Sequence, residues 1–238
     1  MSPVAALTSQ TVHPALLRSE ALGRDAGERG LFDGLAAIES KLDAAAGTLL
    51  FGEGDLADNL YGIADGVAMT YKMLADGRRQ VTGFLYPGDL LGLTFEGRHI
   101  YAAETVTRCR LRRYSRRRLE QLLAADPRLE HQLLRMASHE LLAAQGQLLL
   151  LGRKTAQERL ASFLCQLATR QEERGAPASP VWLPVSQTAI ADYLGLTLET
   201  VSRVTARLRR KNLIATDRRH YVRILDPVAL EDIAEGLA

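Results

Sequence analysis

The sequence predicts an α+β chain of three parts: an N-terminal antiparallel roll of the jelly-roll kind, a long helix, and a C-terminal winged helix-turn-helix. Three observations carry this. Between Leu42 and Tyr114, short runs rich in β-branched and aromatic residues alternate with glycine-bearing turns. From Leu134 onward, apolar residues recur at a heptad spacing. The stretch from Ser186 to Ile214, SQTAIADYLGLTLETVSRVTARLRRKNLI, holds two amphipathic runs separated by Gly195.

The totals set the frame. At 238 residues the chain is long enough for two ordinary domains, and 47% hydrophobic residues can fill two cores. With 30 Lys+Arg against 28 Asp+Glu, the formal charge is only +2, so any basic surface is local. Two cysteines, Cys109 and Cys165, are too few for a Cys-rich metal or iron–sulfur site, and with no disulfide framework the compartment is expected to be reducing. No signal-like N-terminus and no run of about 18 apolar residues occurs, so a cytoplasmic protein without membrane contact is expected.

In chain order, residues 1–30 form an arm broken by Gly23, Gly27 and Gly30. Residues 31–125 hold the roll, in runs GTLLFGEGD, NLYGIADGVAMTYKML, RRQVTGFLYPGDLLGL and YAAETVTRCRLRRY, with Asp76-Gly77 turning a hairpin between Val67–Leu74 and Gln80–Tyr86. Ser115 can cap the helix RRRLEQLLAA. Residues 126–152 are the long helix and hinge, opened by Asp126-Pro127. Leu134, Leu141 and Leu148, with Ala137, Ala144 and Leu151, make an a/d seam suited to a homodimer. The alanines and Gly146 allow close approach of a partner helix, while Leu133, Met136, Leu142 and Leu149 offer a second apolar face for the roll.

Residues 153–238 form the last domain, with the hinge at Gly152-Arg153. Thr155 and Glu158 make a capping box for TAQERLASFLCQLATRQEER, which Gly175 ends. Its inner face carries Cys165 beside Leu160, Phe163, Leu164 and Leu167, and both cysteines are expected to be buried packing. APASPVWLPV is extended by its prolines. Ser186 caps the first helix of the helix-turn-helix, and a second helix from about Thr197 buries Val201, Val204 and Leu208. The runs IAT and HYVRIL form a hairpin wing with a basic tip, and Asp226-Pro227 caps a short final helix. From Leu198 to Arg223 the bases Arg203, Arg207, Arg209, Arg210, Lys211, Arg218, Arg219 and Arg223 face only Glu199 and Asp217 as acids, the footprint of a polyanion-binding surface.

This order of parts resembles the CRP/FNR superfamily of bacterial transcription regulators over roughly residues 40 to 235. In GLTLETVSR, the residues Glu199, Ser202 and Arg203 match the E-x-x-S-R pattern of the FNR-like branches, and LGRKTAQERLASFL resembles the FixK and FnrN subgroup. The resemblance implies a cyclic-nucleotide-binding-like roll and a homodimer on palindromic double-stranded DNA. It also implies a half-site built on TTGA, activation through RNA polymerase with the loop Asp76–Arg79 as one contact, and low-oxygen respiratory or nitrogen-fixation control. Arg203 suits a two-bond contact to guanine, Glu199 suits a cytosine amino group, Ser202 completes the reading set, and Leu198 offers an apolar surface to a thymine methyl. Gln187, Thr188, Thr197, Thr200, Arg207 and Arg219 suit phosphate contacts.

Two departures bear on effectors. GLTFEGRHIYAAET and Ala144-Gln145 lack the arginine fork and Thr-Ser pair that hold a cyclic nucleotide in the family, and Arg98 is a weak substitute, so cyclic AMP is not expected. Residues 1–41 carry no cysteine, so the cluster of the FNR-type oxygen sensors is not expected either. His13, His99, His131, His139 and His220 leave a haem open from sequence alone. A different effector gating the roll is one alternative. A cupin-type enzyme is another, weakened because His99 is the one histidine between Leu42 and Tyr114.

Overall fold

A computed structural model describes residues 32–94, 97–217 and 220–237. The expected arm over residues 1–30, with His13, and the wing-tip residues Arg218 and Arg219 lie outside them.

Eight strands build the roll: β1 (Glu39–Ala44), β2 (Leu49–Phe51), β3 (Asn59–Asp65), β4 (Ala68–Met73), β5 (Arg79–Leu85), β6 (Leu90–Leu91), β7 (Ala102–Thr105) and β8 (Cys109–Ser115). They form two antiparallel sheets, ordered β1-β8-β3-β6 and β2-β7-β4-β5. Each of the longer sequence runs splits into two strands. NLYGIADGVAMTYKML, for example, contributes β3 to one sheet and β4 to the other, with Gly66 at the crossover. Gly66 has φ +91°, and a Cβ there would lie 2.3 Å from the Arg108 carbonyl, so glycine is required. β1, whose outer residues alternate weakly, pairs with β8 from Glu39↔Tyr114 to Ala44↔Cys109 and begins before the first run read as strand. Phe51, Ile63, Leu91, Ala103, Cys109 and Leu111 fill the space between the sheets.

Helix α1 spans Arg116–Ala125; Ser115 occupies its N-cap position, but the hydroxyl makes no cap bond. Helix α2 runs Pro127–Arg153, two residues beyond Leu151, and the Asp126 carboxylate accepts from the Arg128 N–H at 2.9 Å. Its first turns dock through Leu129 and Leu133 onto Phe32, Leu35, Leu60 and Tyr114, with Met136 half-buried against them. Beyond that point one side of the helix is uncovered. Leu134, Leu141 and Leu148 remain 64%, 60% and 71% exposed. Leu142 and Leu149, expected to face the roll, are exposed as well, at 47% and 65%. Each follows a seam leucine by one residue, about 100° round the helix, so the pair widens the exposed leucine face instead of opposing it.

The C-terminal part comprises α3 (Ala156–Glu173), β9 (Val181–Trp182), α4 (Gln187–Leu194), α5 (Leu198–Arg210), β10 (Ile214–Thr216), β11 (Tyr221–Ile224) and α6 (Pro227–Ala234). The helix break falls at Lys154, and the capping box is complete. The Glu158 N–H donates to the Thr155 hydroxyl at 3.4 Å, and the Thr155 N–H donates to the Glu158 carboxylate at 3.0 Å. The extended segment before the helix-turn-helix contributes a third strand to the wing, β10-β11-β9, which its prolines concealed in the sequence. One hydrophobic cluster joins this part to the roll: Val67, Met69, Val81, Phe84 and Tyr86 pack with Phe163, Leu164, Ile190, Leu194, Leu208 and Leu230. Cys109 is fully buried, with its Sγ 3.3 Å from the Val67 carbonyl, whereas Cys165 is only half-buried.

Candidate nucleic-acid interface

The interface is built on α4 and α5. The Ser186 hydroxyl accepts from the Ala189 N–H at 3.1 Å, starting α4, whose Ala189, Ile190, Ala191 and Leu194 are buried. Gly195 ends it in the left-handed region, φ +62°, where a side chain would be strained and would crowd Leu151 and Arg159 at 3.3 and 3.4 Å. Thr197 caps α5 by accepting from the Thr200 N–H at 3.2 Å, and the two hydroxyls are 3.0 Å apart.

Val201, Val204 and Leu208 turn inward, as their spacing requires, and leave Leu198, Glu199, Ser202 and Arg203 exposed along the first two turns. These are the four residues expected to read bases, and they share one outward ridge. The Glu199 carboxyl is held below the usual carboxylate range by its own backbone N–H and by Thr197, so it presents an ionised acceptor. The Arg203 guanidinium is exposed and reaches Thr200 at 3.5 Å, a long bond that leaves its fork directed by weak forces.

Around the ridge, Gln187 and Thr188 are exposed on the first turn of α4, Thr197 is exposed and Thr200 half-buried. Arg207 is exposed and donates to Gln157 of α3 at 3.3 Å. Arg209 and Arg210 border an open groove of about 460 Å³ shared with Ile214, Thr216 and Leu225. Of the expected seam, Leu134, Leu141, Leu148 and Ala144 are exposed and Ala137 is half-buried, while Leu151 packs beneath Gly195 against its own chain.

Arg159 was not singled out by sequence reasoning. Its guanidinium donates to three carbonyls, Lys154 at 2.8 Å, Leu151 at 2.8 Å and Leu194 at 2.9 Å, and so ties the end of α2 to the end of α4. Its partners lie on separate elements, and the signal available in sequence was only an arginine among apolar helix residues. Among the described residues, no helix is long and apolar enough to cross a membrane, and no group of three or more His, Cys, Asp or Glu side chains is placed to hold a metal ion.

Comparison with known proteins agrees with this architecture. Residues 41–126 match the cyclic nucleotide-binding domain family, and residues 158–233 match the Crp-like helix-turn-helix domain. The nitrogen fixation regulation protein FixK of Azorhizobium caulinodans is 40% identical over 197 residues, covering 82% of this chain and 79% of that protein. FixK of Bradyrhizobium diazoefficiens is 36% identical over 190 residues, 80% of each chain. Among solved structures, FixK2 from Bradyrhizobium japonicum superposes with a TM-score of 0.78 at 34% identity, covering 82% of this chain and 97% of that one. With both domain families matched and FixK relatives 36% and 40% identical over 80% and 82% of its length, the chain belongs to the CRP/FNR family of DNA-binding transcription regulators and is FixK-like within it.

Proposed function

We propose that the protein acts as a homodimeric activator on a TTGA-type inverted repeat, in low-oxygen or nitrogen-fixation control, without catalysis and without a bound cofactor. The observation that carries the reading is the shared outward ridge of Leu198, Glu199, Ser202 and Arg203. An ionised glutamate, an exposed arginine fork and an apolar leucine on one helix face are complementary to a cytosine amino group, a guanine edge and a thymine methyl. Gln187, Thr188, Thr197, Thr200, Arg207 and Arg219 serve as phosphate contacts that set register. The exposed leucines of α2 support the dimer, because a contiguous apolar face of this size on a helix marks an interaction surface. Relatives named as nitrogen fixation regulation proteins and as transcriptional activators support the biological role.

An effector-free mode is supported by how the roll spends its side chains. His99 is buried and stacked on Phe51 with ring centroids 3.6 Å apart, and Tyr101 leans against the same ring. Arg98 donates to the Gly54 carbonyl at 2.6 Å, so the nearest substitute for a phosphate-holding arginine is engaged with backbone. RNA polymerase contact falls to the Asp76–Arg78 turn, where Asp76 and Arg78 pair at 2.7 Å on the surface; Arg79 is turned toward α4.

Selection of binding sites from random DNA with effector-free protein tests the whole reading at once. An enriched inverted repeat with TTGA-type halves is the expected result. Enrichment of a single asymmetric site, or recovery only after a small molecule is added, would refute it.

A further inference from the structure

The roll and the helix-turn-helix are joined by two polar clasps around an aromatic contact, and both clasps grip elements next to the reading helix. In the first, Arg79 Nε of β5 donates to Asp192 Oδ2 of α4 at 3.0 Å, and Gln80 Nε2 donates to the Asp192 backbone carbonyl at 2.7 Å. In the second, Asp89, in the turn after β5, accepts from Arg174 Nη2 at 2.8 Å and lies 3.5 Å from Arg170 Nη1; Arg170 sits in the last turn of α3 and Arg174 at its C-cap. Arg170 also donates to the Phe84 carbonyl at 3.1 Å, and the two guanidinium groups lie 5.8 and 5.9 Å from the Tyr86 ring centroid. Phe84, Phe163 and Tyr193 meet beside them with centroids 5.2 to 6.1 Å apart.

We propose that Asp192 and Asp89 are positioning residues that set which half-site spacing the protein accepts, although neither belongs to the reading ridge. Asp192 lies three residues before the Gly195 turn, and α5 begins three residues after it, so a grip on Asp192 is a grip on the pose of α5. The roll that makes the grip also carries α2, whose exposed leucines define the dimer axis. Fixing α5 to the roll in each protomer therefore fixes the separation of two reading helices. The clasp acids are largely withdrawn from water, with side-chain exposures of 23% for Asp192 and 15% for Asp89, and removing one partner strands the other's charge.

The consequence concerns DNA geometry. Each added base pair moves one half-site by about 3.4 Å and turns it by roughly 35°. A rigid scaffold makes the second half-site contact effectively intramolecular at one spacing only, whereas a loosened one spreads that gain over several spacings. The inference rests on the homodimer reading, and the test separates the two.

Affinity is measured for wild type, Asp192→Asn, Asp89→Asn and the reciprocal swap Arg79→Asp/Asp192→Arg. The DNAs carry one half-site, the preferred inverted repeat, and repeats lengthened or shortened by one and two base pairs. Wild type is expected to lose about 30-fold or more per base pair of misspacing. Asp192→Asn and Asp89→Asn should keep single half-site affinity within about twofold, lose about five- to tenfold on the preferred repeat, and lose less than about fivefold on misspaced repeats relative to it. The swap should restore the steep profile. Variants whose spacing profile stays parallel to wild type would overturn the proposal, as would an equal loss on half-site and repeat. Wild-type protein that gains nothing from a second half-site would remove the homodimer reading, and this inference with it.

Discussion

Replacing Leu141 by alanine gives the most direct test of the proposed dimer. Leu141 is 60% exposed in the protomer, so its contribution to the protomer's own fold is small. Fully burying a leucine contributes about 1.5–3 kcal/mol, so covering the exposed part contributes about 1–2 kcal/mol. In the proposed twofold dimer two copies of Leu141 share one seam, which makes the expected loss about 2–4 kcal/mol, or a dimer weakened by roughly 30- to 700-fold. Sedimentation equilibrium over a wide concentration range reads this constant, and thermal melting of the monomeric fraction reports on the fold. Leu133→Ala is the contrast: that side chain is buried against the roll, and its loss should cost about 2–5 kcal/mol of stability. If Leu141→Ala changed the dimer constant by less than about threefold while the protein still bound a palindrome, the seam would lie elsewhere.

Arg203→Ala should lower discrimination at one guanine by about 1–3 kcal/mol and leave non-specific binding within about threefold, read by competition with single-base operator variants; equal weakening on all sequences would refute base reading. A Cβ added at Gly146 meets nothing within 4 Å beyond its own stretch of helix, so Gly146→Ala should strengthen α2 by about 1 kcal/mol, seen as a higher melting temperature in the monomer. The same change should leave the dimer constant within about threefold, because Gly146 stands roughly 140–160° round α2 from Leu141 and Ala144; a dimer weakened by more than about tenfold would move the seam to another face of α2. The Cys165 thiol is pushed up to about 11 by burial and by the nearby Glu231 and Glu235, so it stays protonated far above the pH at which an ordinary thiol ionises. At pH 8, alkylation of native protein should run about 100-fold or more slower than that of unfolded chain; rates within tenfold would contradict the packing described.

Capping was the most legible level of the structure. Asp126, Thr155, Ser186, Thr197 and Asp226 each bond a backbone N–H two or three residues away, so the local sequence contains both partners. The inward positions of α5 followed equally from period alone. Ser115 shows the limit: the right residue stands at the right position, yet its hydroxyl makes no cap bond. What sequence did not disclose depends on partners far along the chain. β9 exists only because Val181 and Trp182 meet residues 221–222, and Asp192 matters only because β5 lies against it. Leu142 and Leu149 were assigned to the roll because two apolar faces on one helix suggest two partners. Each, however, follows a seam leucine by one residue, and the roughly 100° helical step keeps it on the exposed side, a relation that counting apolar residues does not reveal.

The single cluster that runs from Val67 and Phe84 through Phe163 to Leu208 and Leu230 joins the two family domains, so they are expected to melt in one transition. Clipping the chain at the Lys154 break would not free an autonomous reading module. It would strip Phe163 and Tyr193 of the Phe84 ring that covers them, and the C-terminal piece would be prone to aggregate. Swapping this reading domain onto another scaffold would therefore require transplanting the β4–β5 hairpin with it, so the unit of inheritance here is larger than the helix-turn-helix that gives the family its name.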